Sequence, residues 1–254
     1  MKYKYIIFII SCTQLDKTNP CFQMLEKYQI LKQYQKSYLD KFKDTIKFFY
    51  IEYKHDITDD VVEIGDYIFI KGKEDPIIPN LLNKNIIAIN YINKKYDFDF
   101  ILRTNLSSIW NIFKLLSLYD EIPKSNFFGG YVIFNSFVSG TGIFISRDLL
   151  EKLLKINTNY FNHLDDVAIS THMKNIGINM SNLNILTNYK MNYQIIDENV
   201  SDINSLHHKN NNLEINDNTY TGDILYFRVK NDTCERDLQI TKKIIKRIYN
   251  IELE

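Results

Sequence analysis

Two adjacent carboxylates, Asp165 and Asp166, stand directly before the apolar pattern Val167-Ala168-Ile169, so a helix is expected to begin at them. Two duties are open to carboxylates at such a start. They can cap the helix and complement its dipole. Alternatively, one can act as a general base with a raised pKa, because two neighbouring carboxylates do not both ionise freely. Upstream lies Ser139-Gly140-Thr141-Gly142. Glycine lacks a Cβ and tolerates positive φ, so this segment is expected to turn and to bring backbone close to a ligand. Over Phe137 to Ile178 the chain therefore offers a close-approach segment followed by a paired-carboxylate turn. That combination suits one carboxylate of the pair acting as a base, and which of the two does so stays open on the residues alone.

The elements around these residues read as alternating strands and helices. A β-branched run, Tyr3 to Cys12, gives a first strand, a helical pattern runs from about Phe22 to Phe42, and Ile46 to Tyr53 gives a second strand. Tyr67 to Lys71 is a third strand, and Asp75-Pro76 and Ile78-Pro79 break the chain before a helix over Asn80 to Ile92. The fourth strand, Phe98 to Leu102, runs into the polar turn Arg103-Thr104-Asn105-Leu106-Ser107-Ser108, at the strand end where ligands gather in open α/β sheets. Beyond it the spacing predicts a helix over Ile109 to Leu118, strands over Phe127 to Phe134 and Gly142 to Ser146, and helices over Arg147 to Ile156 and Asp165 to Gly177. An Asn-rich loop at Asn210 to Asn212 precedes a strand over Asp223 to Lys230 and a closing helix over Leu238 to Ile251.

Composition bounds what these residues serve. A chain of 254 residues with 45% apolar content has ample material for a core, and one α/β domain is expected. Thirty-one basic residues balance thirty-one acidic ones, so no overall field points to nucleic acid or an anionic membrane, whereas a nucleotide ligand needs only a local basic cluster. Cys12, Cys21 and Cys234 have neither metal-site spacing nor the density of a disulfide scaffold, which fits a reducing, cytoplasmic setting. The apolar run Tyr5 to Ile10 is far shorter than the roughly 20 residues of a bilayer span, so no membrane span is expected.

In their order, the pieces resemble the GT-A fold glycosyltransferases, most closely the β-1,3-galactosyltransferase-like family. RTNLS (Arg103 to Ser107) stands where that family has a strand ending in Lys-Thr-Asp-Asp-Asp. SGTGIFISRDLL (Ser139 to Leu150) and LDDVAISTHMKNIGI (Leu164 to Ile178) follow in the family's order, and the match spans roughly Asp66 to Ile178. The resemblance implies a single GT-A domain over residues 1–254, a Rossmann-like mixed central sheet flanked by helices. Its nucleotide-binding part would be about 1–110 and its acceptor-binding part about 111–254. It also implies transfer of a sugar from a nucleotide sugar, UDP-linked, to a hydroxyl of a glycan or glycoprotein, with inversion. Forms without a membrane anchor resemble those of bacteria and large DNA viruses, which for a viral enzyme means the host cytoplasm.

By the same resemblance Asp166 is the general base, with Asp165 beside it. Ser11, Cys12 and Thr13 at the first strand's end contact the nucleotide, with Glu52 and Tyr53 after the second. Arg103, Asn105 and Ser107 line the diphosphate side, and Gly140, Thr141 and Gly142 shape the acceptor and donor-sugar pocket. The departure is at the metal. The family's Asp-x-Asp holds a divalent cation, and here Asn105-Leu106-Ser107 stands in its place, with neutral oxygens that bind Mn²⁺ or Mg²⁺ weakly. Either a metal is held with help from the diphosphate, Asn105, Ser107 and His207, or protein cations, Arg228 and Lys230, replace it. Trp110 and Phe137 are open to sugar stacking or to core packing. The competing reading is a catalytically inactive GT-A-like module that binds glycan or nucleotide. A nucleotidyltransferase would show a Gly-rich phosphate loop after the first strand, and Ser11 to Pro20 contains no glycine.

Overall fold

The β-branched amino-terminal run forms strand β1 (Lys2–Ile10) in the computed structural model of the chain, which describes residues 1–15, 17, 22–157, 160, 162–187, 190–195, 224–229 and 234–253. Helix α1 (Leu25–Leu39) is extended at both ends by 3-10 turns, Phe22–Met24 and Asp40–Phe42, so the helical stretch runs from Phe22 to Phe42 as its periodicity predicts. Strands β2 (Ile46–Lys54), β3 (Val61–Ile64) and β4 (Tyr67–Lys71) follow. Helix α2 (Ile77–Lys95) has non-helical geometry at Ile78, so its regular part begins at Pro79, where the two prolines were expected to break the chain. Next come β5 (Asp97–Asn105), β6 (Ser108–Trp110), α3 (Ile112–Glu121), β7 (Phe128–Ile133), β8 (Phe137–Ser146) and α4 (Leu150–Leu153). The chain continues through α5 (Asp165–Asn175), β9 (Met180–Asn182), α6 (Leu183–Leu186), β10 (Lys190–Ile195), β11 (Ile224–Val229) and α7 (Cys234–Tyr249).

Eight strands make one mixed sheet in the order β3-β4-β2-β1-β5-β8-β7-β9. β4, β2, β1 and β5 are mutually parallel, whereas β8 is antiparallel to both β5 and β7. A small sheet, β10-β11-β6, packs beside it, and β11 returns antiparallel to β6 just beyond the end of β5. β1 is buried on both faces, as a central parallel strand must be. Its Tyr5, Ile7 and Ile9 join Leu31, Leu115 and Ile244 of α1, α3 and α7 in one apolar layer. Its Ile6 and Phe8 join Ile89, Leu150 and Ile169 of α2, α4 and α5 in the other. The α/β expectation is thus borne out as a mixed central sheet with helices on both faces.

One expectation fails in an informative way. Ser139 to Gly142 is not a turn preceding a strand but the middle of β8. On its β5 side the strand is regular, with Arg103 opposite Ile143 and Thr104 opposite Gly142. On its β7 side Gly130 faces Ile143 while Val132 faces Val138, so five steps of β8 span two steps of β7 and three extra residues bulge out. Glycine is required opposite the bulge. Gly130 has φ 155°, and a Cβ there would stand 2.2 Å from the carbonyl oxygen of Gly142.

Candidate active site

The bulge frees backbone groups of Gly140 from the ladder, and two charged side chains take them. Gly140 N–H donates to Asp166 Oδ2 at 3.0 Å, and Arg103 Nη1 donates to the Gly140 carbonyl oxygen. The Arg103 guanidinium is buried, reaches Asp165 Oδ2 at 2.6 Å and donates to Asn105 Oδ1 at 2.8 Å. Asn85 of α2 donates to the same Asp165 oxygen at 3.0 Å. A single cluster therefore ties the end of β5, the bulge of β8 and the first turn of α5 together.

Within this cluster the two carboxylates are not equivalent. Asp165 is only 3% exposed. Burial pushes its carboxyl above the ordinary carboxylate range, opposed mainly by the charge of Arg103, with Asp166 a smaller upward contribution. The raised pKa expected of the pair thus falls on the enclosed residue, through desolvation more than mutual repulsion. Asp166 is half-exposed, and its second oxygen accepts the N–H of Val167 at 2.9 Å, a bond that satisfies one of the helix's free amino-terminal donors. Each of its oxygens takes one backbone N–H and keeps lone-pair capacity.

Beside the cluster, at the carboxyl ends of β1 and β5, lies a cavity of about 350 Å³. Its apolar walls include Leu31, Leu81, Leu106 and Val229, and its polar lining includes Ser11, Cys12, Glu74, Lys84, Asn105, Ser107 and Arg228. The Arg228 guanidinium is pulled below its ordinary value chiefly by burial, with Tyr226 and Asp166 opposing and Arg103 reinforcing. Its buried Nε has no hydrogen-bond partner among the described residues. An unsatisfied buried donor on a cation is costly, and an anion brought into the cavity would relieve it.

Ser11, Cys12, Asn105, Ser107 and Arg228 accordingly border one space. Thr13, Arg103, Gly140, Thr141 and Gly142 lie outside its lining. The Thr13 hydroxyl donates to Glu52 at 2.8 Å, as does that of Ser11 at 2.5 Å, and fully buried Glu52 is further paired with Lys32 at 2.8 Å. Glu52 therefore anchors the loop after β1 from inside the protein. Thr141 is buried against Tyr226, and Gly142 packs against the indole ring of Trp110. Trp110 itself is buried, donating from Nε1 to Thr104 at 2.8 Å, so core packing accounts for it. Burial lifts the Cys12 thiol to about 12, helped by the negative charge of Glu74. Lys230, His207 and Cys21 lie outside the described residues.

Three residues that hold the site were absent from the sequence reading. Lys84 of α2 is 1% exposed, donating to the Ser11 carbonyl at 2.9 Å and to Glu74 at 2.6 Å. Asn85 beside it holds Asp165. Gln35 of α1 donates to the carbonyls of Leu106 and Ser108 at 3.0 and 3.2 Å, pinning the turn after β5. The signal was available. Lys84 and Asn85 sit in the stripe Leu82, Ala88, Ile89, Ile92 that α2 buries, where a polar residue is out of place unless it has a partner.

A divalent cation at the Asp-x-Asp position does not suit the residues found there. The Asn105 oxygen already faces a guanidinium, Ser107 offers only a neutral hydroxyl, and Arg228 adds positive charge nearby. Among the described residues no group of three or more His, Cys, Asp or Glu side chains is placed to hold a metal. Nor is any helix among them long and apolar enough to cross a membrane.

No protein-family model matches the chain, and no curated protein matches it in sequence. Solved structures share part of its shape, among them two galactosyltransferases. The catalytic domain of Drosophila β1,4-galactosyltransferase 7, in complex with xylobiose, superposes on 71% of the chain with a TM-score of 0.42 at 11% identity. The match spans 64% of the fly domain, less than two thirds of it. The galactosyltransferase LgtC, in complex with donor and acceptor sugar analogs, superposes on 75% of the chain, covering 75% of its own, with a TM-score of 0.43 at 10% identity. A likeness this loose carries nothing about reaction or substrate.

Proposed function

We propose that the chain is a GT-A-type glycosyltransferase that moves a sugar from a nucleotide sugar, UDP-linked, to a hydroxyl of a glycan or glycoprotein, with inversion. The observation that carries this reading is the half-exposed Asp166, held by the bulged Gly140 at the carboxyl edge of the sheet, next to a cavity lined by Arg228. The order of SGTG and LDDV segments after the RTNLS strand supports it. In this assignment a free lone pair of Asp166 takes the acceptor's hydroxyl proton. The acceptor oxygen attacks the anomeric carbon as the bond from that carbon to the diphosphate oxygen breaks, and direct attack inverts the centre. The nucleotide occupies the cavity, and Arg228 meets the charge that develops on the leaving diphosphate. Asp165 and Arg103 act as positioning residues, through the backbone of Gly140.

Donor turnover tests the reading. Nucleoside diphosphate release is measured over UDP-, GDP- and dTDP-sugars, with and without EDTA. Release from one donor, persisting in EDTA, is the expected result. In Arg228→Met the affinity for that nucleoside diphosphate should fall about ten-fold or more. Nucleotide binding by calorimetry with no turnover from any donor, across acceptors, would favour the binding-module alternative.

A further inference from the structure

The hairpin joining β7 to β8 lies at the same end of the sheet as the site. β5 ends at Asn105 and pairs with β8 only as far as Thr104 opposite Gly142, so the residues of β8 before Gly142 run past the carboxyl end of β5, on the side of the cavity. At the hairpin tip Ser136 N–H donates to the Ile133 carbonyl at 2.8 Å. The two central residues, Phe134 and Asn135, have φ of 48° and 55°, the pair of positive values that a type I′ turn needs. Asn, Asp and Gly favour that turn, whereas a bulky side chain at positive φ crowds its Cβ against the carbonyl oxygen. Phe134 nevertheless stands there with 71% of its surface exposed. The folded chain gains neither burial nor backbone ease from it. Next to it Ile133 and Phe137 pair across the ladder, both half-buried, and Phe137 opens the strand that carries Gly140. Strain kept at an exposed position beside a site points to contact with a ligand.

We infer that Phe134, with Ile133 and Phe137, is a stacking platform for the outer units of a saccharide acceptor whose reacting hydroxyl lies at Asp166, an inference that rests on the transferase reading. Counted along β7, which the bulge does not lengthen, the tip at Phe134 lies about three strand steps, roughly 10 Å, beyond the level of Gly140. That is a few sugar units away, so the platform meets an oligosaccharide and not a single residue. A pyranose ring presents C–H groups that suit the negative face of an aromatic ring. No charged residue lies between Phe127 and Ser146. A neutral glycan fits such a surface, whereas an anionic bilayer would call for lysine or arginine around the aromatic.

The test compares the wild type with Phe134→Asn, a change the turn favours, on a printed array of neutral oligosaccharides in the presence of UDP. Melting temperature and wild-type donor turnover are measured on the same preparations. Binding to at least one oligosaccharide should fall roughly 3- to 10-fold in the variant. Its melting temperature should hold or rise by about 2–4 °C. Equal binding by the two proteins, or no saccharide bound by the wild type, overturns the platform. So does flotation with phosphatidylcholine–phosphatidylserine vesicles that the wild type shows and the variant loses. Phe134-dependent glycan binding by a wild type that turns over no donor keeps the platform and removes the transferase reading. Donor turnover with equal glycan binding does the reverse.

Discussion

Gly140→Ala probes the link between the bulge and the carboxylate. A Cβ built on Gly140 would stand 2.8 Å from Arg103 Nη1 and 3.1 Å from Asp166 Oδ2, where ordinary contact begins at 3.4 Å. Restoring contact therefore needs shifts of about 0.6 and 0.3 Å respectively, small distances that a packed interior still resists. Arg103 has little room to give them, since Asp165, Asn105 and the Gly140 carbonyl all hold it. The bulge must move instead, and the N–H bond to Asp166 moves with it. Overpacking of this kind costs about 1–3 kcal/mol of stability. A general base displaced by a fraction of an ångström loses roughly 10- to 100-fold in kcat, by comparison with about 10²-fold for 1 Å. Urea unfolding and steady-state transfer under saturating donor measure the two effects, and donor KM should change little because Gly140 lies outside the cavity lining. A Gly140→Ala enzyme with wild-type kcat would refute the claim that this backbone contact positions the base.

Three further outcomes follow from the same cluster and its cavity. Asp165→Ala strands the buried Arg103 charge and should cost about 3–5 kcal/mol in urea unfolding. The Asp165 carboxyl titrates higher folded than its unfolded value of about 3.9, so the folded state binds more protons in that window. Its contribution to stability should accordingly fall as pH rises from about 4 through the folded value, and the stability difference between wild type and Asp165→Asn should show that decline; a flat difference would contradict it. With its thiol near 12, Cys12 should react with iodoacetamide at pH 8 roughly a hundred-fold more slowly than an unperturbed cysteine, by mass spectrometry of the labelled chain.

The layered fold was legible because burial writes it in the residue types. β1, β2 and β5 are long apolar runs that must be covered on both faces, and α2 and α5 begin where Pro79 and the Asp165-Asp166 pair say they should. Short strands were not legible. β3 and β9 have no buried residue, and β6 is buried throughout but only three residues long, so period-2 patterning has too little to act on. The glycines of Ser139 to Gly142 read as a turn because local propensity cannot distinguish a turn from a bulge; pairing with the neighbouring strands, β5 at Gly142 and β7 on either side of the bulge, decides it. Asp165 and Asp166 were equivalent in sequence and became unlike only when Arg103, sixty-two positions earlier, enclosed one of them. Lys84, Asn85 and Gln35 could have been found as polar residues in apolar stripes, yet a stripe alone does not say which carboxylate or carbonyl they reach.

The central claim is that Asp166 removes the acceptor proton while the nucleotide lies elsewhere, in the cavity with Arg228. Its most direct test is Asp166→Asn, which keeps the side chain's size and one of the two oxygens that accept from Gly140 and Val167 but removes the basic carboxylate. Sugar transfer should drop by about 10²–10⁴-fold while calorimetric affinity for the nucleoside diphosphate stays within a few-fold of the wild type. Transfer by Asp166→Asn at the wild-type rate, with nucleotide binding intact, would contradict the assignment of Asp166 as the base.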